Sequence, residues 1–203
     1  IKVMLEDFIG KFESNEEALS ISFKNIEDKV INNKEKFRIT FDSCILKNVK
    51  ANYNEFYRTE FIDVVFKNCD LSNNSFDNST FVRCEFIDCK LVGTTFVECL
   101  INDVLIKDSI AKYSIFSESK IKSFEIIKSG FEESSFYNNE LKNIIFDNVS
   151  FKKATFSETK LKDIDMSTNT IEDIKIDNRS IEGITISSWQ AEYVCYLLGV
   201  KVK

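Results

Sequence analysis

The sequence predicts an all-β solenoid, and three observations predict it. Every fifth residue from Phe41 to Ile186 is apolar, without one exception over thirty positions. The chain is 43% apolar, so chance would give this run with a probability on the order of 10⁻¹¹. A period of five is neither the 3.6 of a helix nor the 2 of a flat strand. A chain that returns one side chain inward every five residues must turn a corner every five residues. The second observation is a small residue two positions before each apolar one. The third is composition: proline is absent and glycine numbers only five, which excludes collagen-like and Pro/Gly-rich disordered chains.

The small slot holds residues such as Cys44, Val49, Thr59, Cys69, Ser79, Cys84, Cys89, Thr94, Cys99 and Ser119, with Asn at 54, 74, 139 and 169. The unit is therefore small–x–bulky–x–x, with two side chains inward and three facing water. Large and small side chains in alternation fill a narrow core at native density. Some positions depart from the rule. Phe124, Ile144, Ile164, Ile174 and Ile184 are large residues in the small slot, so the later coils are expected to be wider. Arg179 occupies the same slot near the end, where the last coils are expected to open. Ala51 and Ala111 underfill the large slot.

Segments such as Cys69-Asp70-Leu71-Ser72-Asn73 and Cys84-Glu85-Phe86-Ile87-Asp88 resemble the pentapeptide repeat family, whose motif is A(D/N)LXX. The resemblance covers roughly three-quarters of the chain. It implies a right-handed quadrilateral β-helix with four pentapeptides per coil and short helical terminal caps. Thirty repeats then make about seven and a half coils, stacked at ~4.8 Å into a rod roughly 35 Å long. The phase from 41 to 186 leaves no room for inserted loops, so the projecting loops of some Qnr-like members are not expected.

A solenoid exposes unpaired backbone and core at both ends and needs caps. Residues 1–20 are expected to supply the first, with Val3, Met4, Phe8, Ile9 and Phe12 near helical spacing before the acidic stretch 13–17. Ile21, Ile26 and Ile31 keep the five-residue phase, so the β-helix is assigned to residues 21–187. Residues 188–203 form the second cap. Ser187 with Gln190 three later reads as a capping box, and Gly199 as the residue that closes the helix. Ala191, Val194, Cys195 and Leu198 are expected to cover the rod. Trp189, Tyr193, Tyr196 and Leu197 then form a second apolar face that needs covering. Dimerisation through these four residues is expected, and Qnr-type members, which dimerise through their C-termini, imply the same. The alternative is that Val200 and Val202 fold back over the aromatic face.

Five of the six cysteines (Cys44, Cys69, Cys84, Cys89 and Cys99) lie in the small slot, so free, buried thiols in a reducing, cytoplasmic compartment are expected. Histidine is absent, which removes the commonest acid–base group at neutral pH and the commonest metal ligand. No phosphate-binding glycine loop and no Cys-x-x-Cys pair stands in the sequence, and no apolar run is long enough to span a membrane. No catalytic site, metal or cofactor is assigned.

Function is left to shape and surface. Of the four faces, the one built on Phe56, Phe76, Phe96, Phe116, Phe136, Phe156 and Ile176 is the most acidic, its outward residues summing to −4. Glu98, Glu118 and Glu158 stack there at coil spacing, with Glu55 and Asp77 alongside. The resemblance implies a rod that imitates duplex DNA and binds a type II topoisomerase, DNA gyrase or topoisomerase IV, in connection with quinolone resistance. No direct binding of nucleic acid or membrane is expected. The charge itself is modest. About 35 Å of duplex carries about twenty charges, whereas this chain carries a net −6. A general interaction scaffold with an unrelated protein partner therefore stands as the second reading.

Overall fold

The computed structural model describes residues 2–4, 19–22, 24–27, 30–32 and 39–201. They form a parallel β-solenoid of about seven turns. Within the two large sheets, strands pair with those a coil away at a shift of twenty residues, as in Phe41 with Phe61, Phe61 with Phe81, and Phe96 with Phe116. Twenty residues are four pentapeptides, so the coil has four faces. The first two share a ten-stranded sheet. Its strands Thr80–Ile87, Leu100–Lys107, Lys120–Ile127 and Glu140–Asp147 run across the corner between them. From Lys50 on, the described residues of the third face make only single bridges, in the series Lys50, Asp70, Lys90, Ile110, Gly130, Ser150, Thr170. The fourth carries the five short strands Thr95–Val97, Ile115–Ser117, Ser135–Tyr137, Thr155–Ser157 and Lys175–Ile176.

One backbone device makes the corners. The residue two after each bulky one is left-handed at every repeat from Ser43 to Asp163, with φ between 48° and 66°. Asn and Asp tolerate this region best among residues with a Cβ, because their short side chains bond locally. Many of the corner positions carry them. Thr168 breaks the series, as expected of a β-branched residue.

The bulky slots stack into ladders. Phe56, Phe76, Phe96, Phe116, Phe136 and Phe156 form one file, with successive ring centroids 5.3, 5.2, 4.6, 5.1 and 4.7 Å apart and near-parallel planes. Phe41, Phe61 and Phe81 form a second, and Phe66 with Phe86 a third. Rings in different files meet edge to face, as Phe61 meets Phe76. Both arrangements suit the aromatic quadrupole. The small slots stack as well, and their polar members bond along the rod. The N–H of Thr59 donates to Ser79 Oγ (2.9 Å), Cys99 to Ser119 Oγ (2.9 Å), Ser119 to Asn139 Oδ1 (3.1 Å), and Asn139 to Thr159 Oγ1 (3.1 Å). Most small polar residues are thus buried with their hydrogen bonds made, although among the described residues Thr59 Oγ1, Asn74 Nδ2 and Ser114 Oγ have no partner.

Three expectations change at the ends. Lys2–Met4 is a strand parallel to Val30–Asn32, so Val3 and Met4 do not start a helix. Phe8, Ile9 and Phe12 lie outside the described residues. The coil phase at this end is as read, since Ile21 pairs with Phe41 and Ile26 with Leu46. Near the other end Arg179 does not fill the inward slot. A short helix, α1 (Asn178–Ile181), turns Ser180 inward instead, and the N–H of Thr159 donates to its hydroxyl at 3.0 Å. Burying a guanidinium without a partner would be costly, and one helical turn avoids it. The third change concerns the C-terminal helix.

Candidate functional site

The acidic residues of the fourth face do not form one equivalent set. Glu98, Glu118 and Glu158 all sit at the left-handed corner, with φ of 55°, 53° and 52°, and all are exposed. Among the described residues none of the three is in an ion pair, although Arg83 and Lys152 pair with carboxylates twenty residues away, at Asp63 and Glu172. Asn138 interrupts the column between Glu118 and Glu158. Glu55 is exposed on the same face. Asp77 is half-buried and tied into the wall, accepting from the Thr95 hydroxyl at 2.7 Å and the Val97 N–H at 3.3 Å. The face therefore presents Glu55, Glu98, Glu118 and Glu158 outward and holds Asp77 back.

A further carboxylate on this face, Asp177, has a structural task. It accepts from the N–H groups of Arg179 (2.8 Å) and Ser180 (2.9 Å), from the Ser180 hydroxyl (2.8 Å) and from the Glu158 N–H (2.7 Å). Partial burial acts to raise its pKa, but these bonds outweigh it and hold the group at about 2. An Asp three residues before a Ser, at the start of a turn, is the sequence signal that could have found this cap.

The C-terminal helix, α2 (Ser188–Leu197), docks by a different face from the one read in the sequence. Its inward residues are Gln190, Tyr193 and Val194. Gln190 is 1% exposed, Tyr193 and Val194 pack on the core, and Leu197 lines a small apolar space with Leu161, Met166 and Ile171. Gln190 is the anchor. Its Nε2 donates to the carbonyls of Met166 (3.0 Å) and Asn169 (2.8 Å), while its Oε1 accepts from the Ser187 N–H (2.8 Å) and hydroxyl (3.0 Å). It continues the ladder in which Asn169 Nδ2 donates to the Phe146 carbonyl at 3.0 Å. Satisfying those carbonyls rotates the helix, which moves Tyr193 off the proposed dimer face and leaves Leu197, 36% exposed, at its edge. Trp189 (66% exposed) and Tyr196 (54%) remain on it, with Val200 exposed beyond them. Gly199, at φ 76°, closes the helix, with Gly199 N–H to Tyr196 O and Val200 N–H to Cys195 O.

All six cysteines are free thiols, and all but Cys195 are buried. Burial pushes Cys84 and Cys99 up to about 12. Cys89 is raised by its bond with Cys69 and by burial. The thiols of Cys69, Cys84, Cys89 and Cys99 also donate to a carbonyl one coil back, as Cys99 does to Phe76 O at 3.1 Å. Among the described residues no cluster of His, Cys, Asp and Glu could hold a metal, and no helix is long and apolar enough to cross a membrane.

Residues 59–134 match the family described as a pentapeptide repeat region. That segment is a pentapeptide repeat region, and the same five-residue phase runs on either side of it. Similar solved structures include a trypsin-treated form of QnrB1, a plasmid-mediated fluoroquinolone resistance protein. It is 13% identical with a TM-score of 0.44, the match covering 91% of this chain and 100% of that one. Another is HetL, a pentapeptide repeat protein involved in heterocyst differentiation regulation from the cyanobacterium Nostoc. It is 6% identical with a TM-score of 0.32, over 91% of this chain and 95% of that one. Among curated proteins, none matches the chain.

Proposed function

We propose that this is a non-catalytic protein that acts by protein–protein interaction, and that its fourth face is the binding surface. The partner proposed is a type II topoisomerase, DNA gyrase or topoisomerase IV. Its positively charged DNA-binding groove would meet Glu55, Glu98, Glu118 and Glu158 as a substitute for a phosphate backbone, giving quinolone tolerance. The observation that carries this reading is the column of Glu98, Glu118 and Glu158, exposed at corner positions and outside any ion pair among the described residues. Corner residues spaced by whole coils, ~4.8 Å each, present charge in a fixed line as a duplex does. Such binding is electrostatic and weakens with salt, because exposed charges are screened within ~8 Å at physiological ionic strength. The test is gyrase supercoiling with the purified protein and with Glu98, Glu118 and Glu158 changed to Lys.

A scaffold for an unrelated partner is the second reading. The modest charge favours it, since Asp77 and Asp177 are committed to wall and cap. Two copies joined end to end through α2 are part of the proposal in either case, now resting on Trp189 and Tyr196.

A further inference from the structure

The ten-stranded sheet ends abruptly at Glu140–Asp147, in mid-rod. That strand pairs with Lys120–Ile127 on one side and with no strand on the other. Earlier coils show what is missing. The N–H of Asp63 donates to Val82 O (3.0 Å), that of Glu85 to Val64 O (3.0 Å), and that of Glu140 to Ser119 O (3.0 Å). The equivalent donors one or more coils later are Asn143, Asp165 and Lys160. Among the described residues none of these three N–H groups makes its coil-to-coil bond. The wall closes again on the third face, where Phe151 N–H donates to Thr170 O and Thr170 N–H to Val149 O. The coils therefore part only on the first two faces. The corner between those faces is where Phe124, Ile144 and Ile164 crowd the small slot. Ile144 and Ile164 both line the opening.

The opening is a cleft of about 610 Å³, lined by Leu141, Ile144, Ile145 and Ile164 and by lysines. Leu141 and Ile144 are half-buried, whereas the bulky and small slots from Phe41 to Asn139 are closed, and Ile145 is 50% exposed. Lys142, Lys160 and Lys162 reach its rim against Glu125 and Asp163. Lys122 stacks on Lys142 in register. Like charges opposed across strands are destabilising. Elsewhere Lys47, Arg83, Lys112 and Lys152 each pair with a carboxylate on a neighbouring coil. Among the described residues Lys142, Lys160 and Lys162 have no such partner.

We propose that this cleft is a docking site for an extended peptide carrying acidic residues, added as a strand to the edge of Glu140–Asp147. Its backbone takes the free Asn143 N–H and Ile144 carbonyl, alternate side chains enter between Leu141, Ile144 and Ile164, and the others bring carboxylates to the lysines. This site is separate from the acidic fourth face and of opposite charge.

The experiment uses the full chain and a fluorescein-labelled peptide of about ten residues alternating Val and Glu, read by anisotropy. Its counterpart alternates Val and Lys. The Val–Glu peptide is expected to bind saturably, and Lys142→Glu with Lys162→Glu to weaken it at least about tenfold at an unchanged melting temperature. The exposed position of both lysines keeps that variant folded. Amide exchange at Asn143 and Phe146, fast in the free protein, is expected to slow on binding. No saturable binding overturns the proposal. So does equal binding of the two peptides or of the two proteins, which would leave the lysines as guards of a bare edge. Protection appearing on another coil overturns it too.

Discussion

At the scale of single residues, the structure separates carboxylates that build the wall from those that face outward. Asp177 builds. Its pKa is depressed to about 2, so its contribution to stability is complete above about pH 4 and is lost as pH falls toward 2. The melting temperature of the unmodified protein is expected to drop over that window more than that of Asp177→Asn. At neutral pH the variant is expected to be less stable by about 1 kcal/mol, the usual worth of a helix cap. Equal acid sensitivity would mean the cap bonds do not form. Glu98, Glu118 and Glu158 face outward and occupy a conformation that suits Asn better. Changing them to Asn removes the charge while relaxing the corners, so the triple variant is expected to melt no lower than the unmodified chain. The buried thiols make a third prediction. A thiol reagent without denaturant is expected to label Cys195 at most, because the other five are buried and those at 84 and 99 are raised to about 12. Rapid labelling of Cys69 or Cys89 would contradict the packing.

At the scale of elements, the Phe ladders and the Gln190 plug decide stability. Phe96 stacks between Phe76 and Phe116 and meets Phe81 from the side. Phe96→Asp would bury a charge there and is expected to abolish folding, while Phe96→Ala should cost about 3–5 kcal/mol. A variant with Asp at 96 that melts as the unmodified chain does would contradict the register. These ladders were legible in the sequence because one period decides which side chains point inward. The slot of Arg179 was misread for a physical reason. Period says where a side chain is due, but the cost of burying a guanidinium let one turn of helix bring Ser180 there instead. Helix α2 was half legible. Its cap and closing glycine follow from local chemistry. Its docked face does not follow from an apolar pattern, because the residue that fixes the rotation is a buried amide, Gln190, satisfying carbonyls of the last coil. The acidic column was legible, but not that Asp77 is drawn into the wall.

At the scale of the molecule, a rod of about seven coils with a helix over its C-terminal end offers two kinds of surface, its sides and that tip. The tip exposes Trp189 and Tyr196, and burying each is worth roughly 1.5–3 kcal/mol before the costs of association. By light scattering the unmodified protein is expected to be a dimer, and Trp189→Glu with Tyr196→Glu to give a folded monomer. A monomeric unmodified protein at micromolar concentration would leave α2 as a cap alone. The side carries the central claim, that outward glutamates on the fourth face bind a basic groove. The most direct measurement is gyrase supercoiling in the presence of the unmodified protein and of the variant with Asn at 98, 118 and 158. The account predicts that the unmodified protein alters supercoiling in a salt-sensitive way and that the equally stable variant does not. No effect of the unmodified protein, or the same effect from both, would contradict it.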